Sequence, residues 1–137
     1  LGENAEAMPL YKRVVHTEDD SLLFTGLMQS TGAALPVVEA QATLAAAYLS
    51  GRYALPDATE RRTSVQQAYD AAVERWGSLK RPMMRIDFDD YLTDIAGEIA
   101  RGKRRAAKGA PRFTRSARPT TGSVDAAANV PNGLVPA

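Results

Sequence analysis

The sequence contains no cysteine and only one histidine, His16. Without a thiol it cannot build a disulfide scaffold, a thiolate zinc site or a cysteine nucleophile. A single imidazole excludes a metal site with two histidine ligands, and a Ser-His-Asp triad would have to include His16. No apolar run approaches the roughly 20 residues that span a bilayer, and no signal peptide opens the chain. We therefore expect a cytoplasmic protein without a metal cofactor or a membrane span.

The 137 residues carry a net charge of +1, but the charge is unevenly distributed. Residues 103–137 hold seven basic side chains and one acidic side chain, and they also hold four prolines. Such a segment cannot bury enough apolar surface to offset its ordering entropy, so we predict a disordered tail. Its charges could contact nucleic acid or anionic lipid, or they could simply be solvated. Because Phe113 is the only aromatic side chain among them, we favour the second interpretation and expect no nucleic-acid partner.

A strand, a loop and a helix are predicted in the first half of the chain. Residues 22–28 are short, apolar and flanked by polar residues, which favours a strand buried on both faces. The small residues that follow favour a loop, and Pro36 favours a helix that begins there and runs to about Ser50. These elements form half of an α/β unit. Because one strand cannot form a sheet, we expect the chain to be part of a longer polypeptide.

Two further helices are predicted from their capping residues. Asp57, with Glu60 three residues later, favours a helix that ends at Gly77. Asp87 favours a third helix, with apolar positions at helical spacing and an end at Gly102. The predicted fold is therefore α/β, with one buried strand, about three helices and a disordered tail.

Several side chains could carry chemistry, but each also has a structural interpretation. His16 lies beside a run of acidic residues, and we interpret it as an exposed turn residue. The aspartates between Asp87 and Asp94 lack the spacing of a calcium loop, so helix capping is the better interpretation. Tyr69 and Trp76 could line a ligand pocket, but aromatic residues at helical spacing more often form core.

The loop at residues 29–36 is the strongest candidate site. Where a strand ends and a helix begins, backbone N–H groups and the helix dipole favour an anionic ligand. In open α/β sheets, ligands lie beyond the carboxyl ends of the strands. The loop contains neither the dinucleotide fingerprint nor a Walker motif, so an ordinary strand-to-helix turn is the alternative.

Several short motifs follow one another between residue 10 and about residue 100. They are Leu10-Tyr11-Lys12, Gly26-Leu27-Met28-Gln29, Gly32-Ala33 followed by Pro36, Glu39 and Gln41, then Gly51 with Leu55-Pro56, and finally Asp87-Phe88-Asp89-Asp90-Tyr91-Leu92. In this order they resemble the C-terminal part of flavin-containing monooxygenases. Ser30 stands where the family usually has proline, and Thr43-Leu44 where it often has Arg-Trp, as in a divergent bacterial-type member.

The resemblance implies a flavoprotein with two dinucleotide-binding domains that uses FAD and NADPH. Such an enzyme oxygenates amines, sulfides or ketones through a flavin hydroperoxide. Residues 1–56 would end the FAD-binding domain, residues 57–102 would form a C-terminal helical layer, and residues 103–137 would be the tail. The glycine-rich fingerprints would lie upstream, so this piece alone would be inactive.

By the same resemblance, four residues would face the flavin and no catalytic residue would lie in this piece. The four cofactor-binding residues are Gln29, Ser30, Thr31 and Gly32. The alternative function is a small helical binding module whose basic tail contacts nucleic acid or a protein partner.

Overall fold

The computed structural model describes residues 5–114, which form three α-helices and two small sheets. The helices are α1 (Ala34–Leu49), α2 (Ala58–Trp76) and α3 (Phe88–Ala107). The strands are β1 (Leu10–Tyr11), β2 (Val15–His16), β3 (Gln29–Ser30) and β4 (Arg85–Ile86), and single 3-10 turns lie at Ala5–Ala7 and Pro82–Met84. The predicted α/β class and the three helices are confirmed. Within the described range, no helix is both long and apolar enough to cross a bilayer.

The starts of α2 and α3 lie where the capping residues predicted them. The Asp57 carboxylate accepts the N–H of Glu60 at 2.8 Å, and the Asp87 carboxylate accepts the N–H of Asp90 at 3.1 Å. Each bond satisfies a backbone donor that the helix itself leaves free, and each carboxylate lies at the positive end of the dipole. Local sequence therefore sets both boundaries. Helix α1 begins at Ala34, two residues before the predicted start.

The predicted buried strand at residues 22–28 is wrong. Only Leu23 forms a bridge, to Val15, and Leu22 is 37% exposed. Gly26 has a φ of +79°, and its N–H donates to the Gln41 side chain at 2.7 Å. The left-handed glycine interrupts the extended backbone, so the segment runs irregularly over the core, with Leu23 and Met28 packed against it. In place of one strand there are four strands of two residues, with β1 and β2 antiparallel and β3 and β4 parallel.

The core lies where the β1–β2 hairpin packs between the helices. Tyr91 of α3 links three elements, because its hydroxyl donates to the Lys12 carbonyl at 2.6 Å and accepts from the Gln41 amide of α1 at 3.2 Å. The apolar face of α2 is buried only in part, since Val73 is 46% exposed. Its buried members are Val65, Tyr69 and Ala72.

The predicted end of α3 at Gly102 is also wrong, because the helix continues to Ala107. Gly102 is buried against the ring of Tyr53, and its carbonyl accepts the N–H of Ala54 at 3.0 Å. The glycine therefore permits close packing instead of ending the helix. The first five residues of the predicted tail, 103–107, are helical, whereas residues 115–137 lie outside the described range. The division into domains remains a prediction.

Candidate functional site

The candidate loop lies where β3 ends and α1 begins. In the parallel ladder, Gln29 is opposite Arg85 and Ser30 is opposite Ile86. Helix α1 starts at Ala34, so only three residues separate the carboxyl end of β3 from the helix N-terminus. The loop does connect a strand to a helix, but that strand is β3, whose two residues the sequence analysis assigned to the loop, and not the predicted strand at residues 22–28.

The four predicted cofactor-binding residues form one compact turn. Gln29, Thr31 and Gly32 are exposed, and Ser30 is half-buried with its hydroxyl accepting the N–H of Gly32 at 3.1 Å. The Thr31 N–H donates to the Ile86 carbonyl at 3.1 Å. The geometry brings the four residues together on the surface, and their contact with a cofactor remains a prediction.

The N-terminus of α1 has no capping side chain, unlike those of α2 and α3. Ala33 is extended, with φ −62° and ψ 135°, and the first turn of α1 contains no acidic residue. The helix dipole at this end is therefore not compensated by a neighbouring carboxylate of its own turn. Free backbone N–H groups at such an end can donate to an anionic or carbonyl-rich ligand.

Helix α1 carries apolar side chains on its outer face as well as on its inner face, with Glu39 as the charged residue of the outer face. Its inner face is buried through residues such as Val37 and Leu44, while on its outer face Leu35 is 81% exposed and Leu49 is 50% exposed. The exposed Ala42 and Ala46 lie between these two leucines at helical spacing. A helix with apolar side chains on both faces is typical of an element that is covered on both sides. The small alanine side chains permit a close approach of another layer.

Glu98 of α3 is a buried carboxylate that the sequence analysis did not identify. It is 2% exposed and accepts the Tyr53 hydroxyl at 2.7 Å. Arg101 donates to Oε2 of Glu98 at 3.1 Å, and Arg105 pairs with Oε1, the oxygen that also accepts the Tyr53 hydroxyl. The spacing of Glu98 with Arg101 on one helix is the signal that could have indicated it. Because its oxygens are already paired, this cluster holds α3 against the segment after α1 and leaves no group for a ligand.

A cleft of about 260 Å³ lies between α2 and α3. Trp76 lines this cleft, in agreement with the interpretation that the aromatic residues of α2 line a pocket. At its mouth, Arg75 pairs with Asp87 at 3.0 Å, and Lys12 pairs with Asp94 at 2.8 Å. The aspartates therefore act in caps and ion pairs. Residues 5–114 contain no cluster of three or more His, Asp or Glu side chains suited to a metal ion.

The interpretation of His16 as an exposed turn residue is wrong, because His16 is the last residue of β2 and is half-buried. Its Nδ1 accepts the backbone N–H groups of Glu18 at 3.2 Å and Asp19 at 3.3 Å. The imidazole nitrogen that could otherwise act as a base is thus occupied by the backbone.

Comparison with known proteins identifies a family to which this chain is similar. The family model described as flavin-binding monooxygenase-like matches residues 3–104. Dimethylaniline monooxygenase (N-oxide-forming) 2 from Mus musculus is 30% identical over 92 residues, which cover 66% of this chain and 17% of that protein. Flavin-containing monooxygenase 5 from Oryctolagus cuniculus is 30% identical over 89 residues, which cover 64% of this chain and 17% of that protein. The chain thus spans about 17% of the length of these relatives.

Proposed function

This chain belongs to the flavin-binding monooxygenase-like family, and we propose that it completes the flavin-binding domain of an FAD- and NADPH-dependent monooxygenase. FAD and NADPH are the cofactors of this family. The observation that carries the proposal is the exposed β3–loop–α1 turn with its uncapped helix N-terminus. The proposed substrates are small molecules with a soft nucleophilic atom, such as amines and sulfides, or ketones.

The donors in the loop fit a flavin ring. The ring system presents carbonyl oxygens and ring nitrogens as acceptors, and it carries negative charge when reduced. The turn offers the exposed Gln29 amide and the N–H groups of Ala34 and Leu35, since Pro36 has none, and no carboxylate lies in that helical turn to repel the charge. When bound, FAD supplies the oxygen-transfer chemistry, and the protein contributes position and electrostatics.

The chain's own residues have two tasks in this proposal. The loop residues Gln29 to Gly32 would face the acceptor edge of the ring, with the Gln29 amide and the Ser30 and Thr31 hydroxyls as its donors, because the N–H groups of Thr31 and Gly32 already bond within the protein. The positive end of α1 favours negative charge beside it, because the preorganised dipole needs no rearrangement. Both tasks concern binding and charge stabilisation, so no catalytic proton donor is required from this chain.

The outer face of α1 supports the same proposal. Leu35 and Leu49 leave apolar surface in water that another layer would bury. Because the relatives are about six times longer than the matched segment, we propose that the rest of such a polypeptide covers this face. The alternative function, a small module that binds through its basic tail, has no comparable support.

Replacing Ala33 by aspartate tests the function separately from the fold. The new carboxylate would cap α1 and raise helix stability by about 1 kcal/mol. It would also place an anion at the proposed flavin site, so FAD affinity should fall roughly tenfold, as a repulsion of about 1.4 kcal/mol would give. The flavin reduction potential should become more negative, because negative charge opposes reduction. In the polypeptide that carries this chain, fluorescence titration measures the FAD affinity and spectroelectrochemistry measures the reduction potential.

The matched control is Ala33→Ser, which offers a cap without charge. It should raise helix stability and leave the potential near that of the wild type. Unchanged FAD affinity and unchanged potential in Ala33→Asp would contradict the proposed site.

A further inference from the structure

We propose that the first turn of α3 positions the candidate flavin loop at residues 29–32, with Thr31 and Phe88 as the positioning residues. The nature of the ligand rests on the proposed function, whereas the mechanical link between the two elements rests on contacts in this structure.

The first part of the link is a set of hydrogen bonds to one short segment. The Phe88 N–H, at the start of α3, donates to the Thr31 hydroxyl at 3.0 Å. The Thr31 N–H donates to the Ile86 carbonyl at 3.1 Å. Together with the β3–β4 ladder, these bonds tie the loop through both its backbone and a side chain to residues 85–88. The Thr31 hydroxyl thus accepts from the N–H of Phe88, one of the N-terminal donors of α3 that the Asp87 carboxylate does not bond.

The second part of the link is a close packing contact. A Cβ atom placed on Gly32 would lie 2.6 Å from Cγ and 2.9 Å from Cβ of Phe88. Real side chains do not approach this closely, so the backbone of Gly32 rests directly on Phe88. Gly32 does not have a left-handed conformation, so glycine is needed here for proximity and not for its φ. The ring of Phe88 therefore limits how far the loop can move toward α3.

The third part is that the start of α3 is itself held in place. Arg75 of α2 pairs with the capping residue Asp87 at 3.0 Å. One turn later, the Tyr91 hydroxyl donates to the Lys12 carbonyl and accepts from Gln41 of α1. Phe88 lies between these two anchors. The position of the loop is consequently set by the packing of α2 and α3, and not by β3 and α1 alone.

The test compares Thr31→Val with Thr31→Ser in the polypeptide that carries this chain. Valine keeps the size of threonine but removes the acceptor, and serine restores it. We expect Thr31→Val to speed amide exchange at residues 29–32 roughly tenfold, as the loss of one hydrogen bond would give. We expect the same variant to weaken FAD binding and to shift the visible flavin spectrum. Thr31→Ser should recover both properties, and the exposed Thr59→Val is the matched control that should change neither.

A second pair of variants tests the packing contact. Gly32→Ala should disturb the flavin spectrum more than Thr31→Val, because the new methyl group must displace Phe88 or the loop. In the double variant Gly32→Ala/Phe88→Ala, the flavin spectrum should return part of the way to that of the wild type. The second substitution removes the ring atoms nearest to the new methyl group. The absence of any recovery in the double variant would contradict a direct contact.

The outcomes separate this inference from the proposed function. Unchanged exchange at residues 29–32 in Thr31→Val would overturn the positioning role, even in a protein that binds FAD. Faster exchange with unchanged FAD affinity and spectrum would overturn the placement of the flavin at this loop, and with it the cofactor part of the inference.

Discussion

Replacing Glu98 by alanine should lower the free energy of unfolding by about 1–3 kcal/mol, the range expected when a buried polar group loses its hydrogen-bond partner. Glu98 is 2% exposed, and its loss would leave the Tyr53 hydroxyl and Nη2 of Arg105 without their acceptor, although Nε of Arg105 keeps the Ala54 carbonyl. Urea unfolding of the polypeptide that carries this chain measures the change. The Glu98→Gln variant keeps an acceptor for the Tyr53 hydroxyl, so its free energy of unfolding should fall by less. A loss below about 1 kcal/mol for alanine would indicate that water replaces the carboxylate.

The same cluster gives a pH dependence with a defined sign. Burial by itself raises the pKa of Glu98, but hydrogen bonds from Tyr53 and Arg105 outweigh burial and hold that pKa below its ordinary value of 4.5. A carboxyl whose pKa is lower in the folded state stabilises the fold above its ordinary pKa. That contribution is lost as the pH falls from about 4.5 through the lower, folded pKa. The stability difference between the wild type and Glu98→Gln should therefore shrink below pH 4.5.

Two glycines of α3 should respond to alanine with opposite signs. In Gly102→Ala the new methyl group would overlap the ring of Tyr53, and such overpacking costs about 1–3 kcal/mol. In Gly97→Ala the new methyl group would lie 3.2 Å from the end of the Arg101 side chain, which is 48% exposed and can move away. Alanine also has the better helix propensity, so Gly97→Ala should gain up to about 1 kcal/mol.

Urea unfolding of both variants under one set of conditions measures this contrast. Because the substitution and the helix are the same, the difference between the two results isolates the contact with Tyr53. An increase in stability for both variants would show that Gly102 does not pack against the ring.

The parts of the fold that were predicted correctly depend on neighbouring residues. Asp57 and Asp87 bond within their own first turns, so the sequence alone places the starts of α2 and α3. The incorrect predictions concern positions whose local structure depends on contacts with residues far away in the sequence. Gly102 was interpreted as a helix stop, but its role depends on Tyr53, which lies far away along the chain. The apolar run at residues 22–28 indicated a strand, but Gly26 is held in a left-handed conformation by Gln41.

The sequence also predicts only part of the candidate site. The small residues before α1 indicated the loop, and the family resemblance assigned residues 29–32 to it. The contact of the loop with Phe88 could not be predicted, because it depends on a parallel pairing of two-residue strands. Strands that short have no hydrophobic periodicity to detect. The uncapped start of α1 was also missed, since Pro36 was expected to be its first residue.

The placement of residues 29–32 at the flavin is tested most directly by photolabelling. The polypeptide that carries this chain is loaded with an FAD analogue whose azide is on the isoalloxazine ring, irradiated, digested and mapped by mass spectrometry. Labelled peptides should include residues between Gln29 and Leu35, and unmodified FAD should compete the label away. A polypeptide that binds the analogue but is labelled only outside residues 29–35, or one that binds no flavin, would contradict the proposed site.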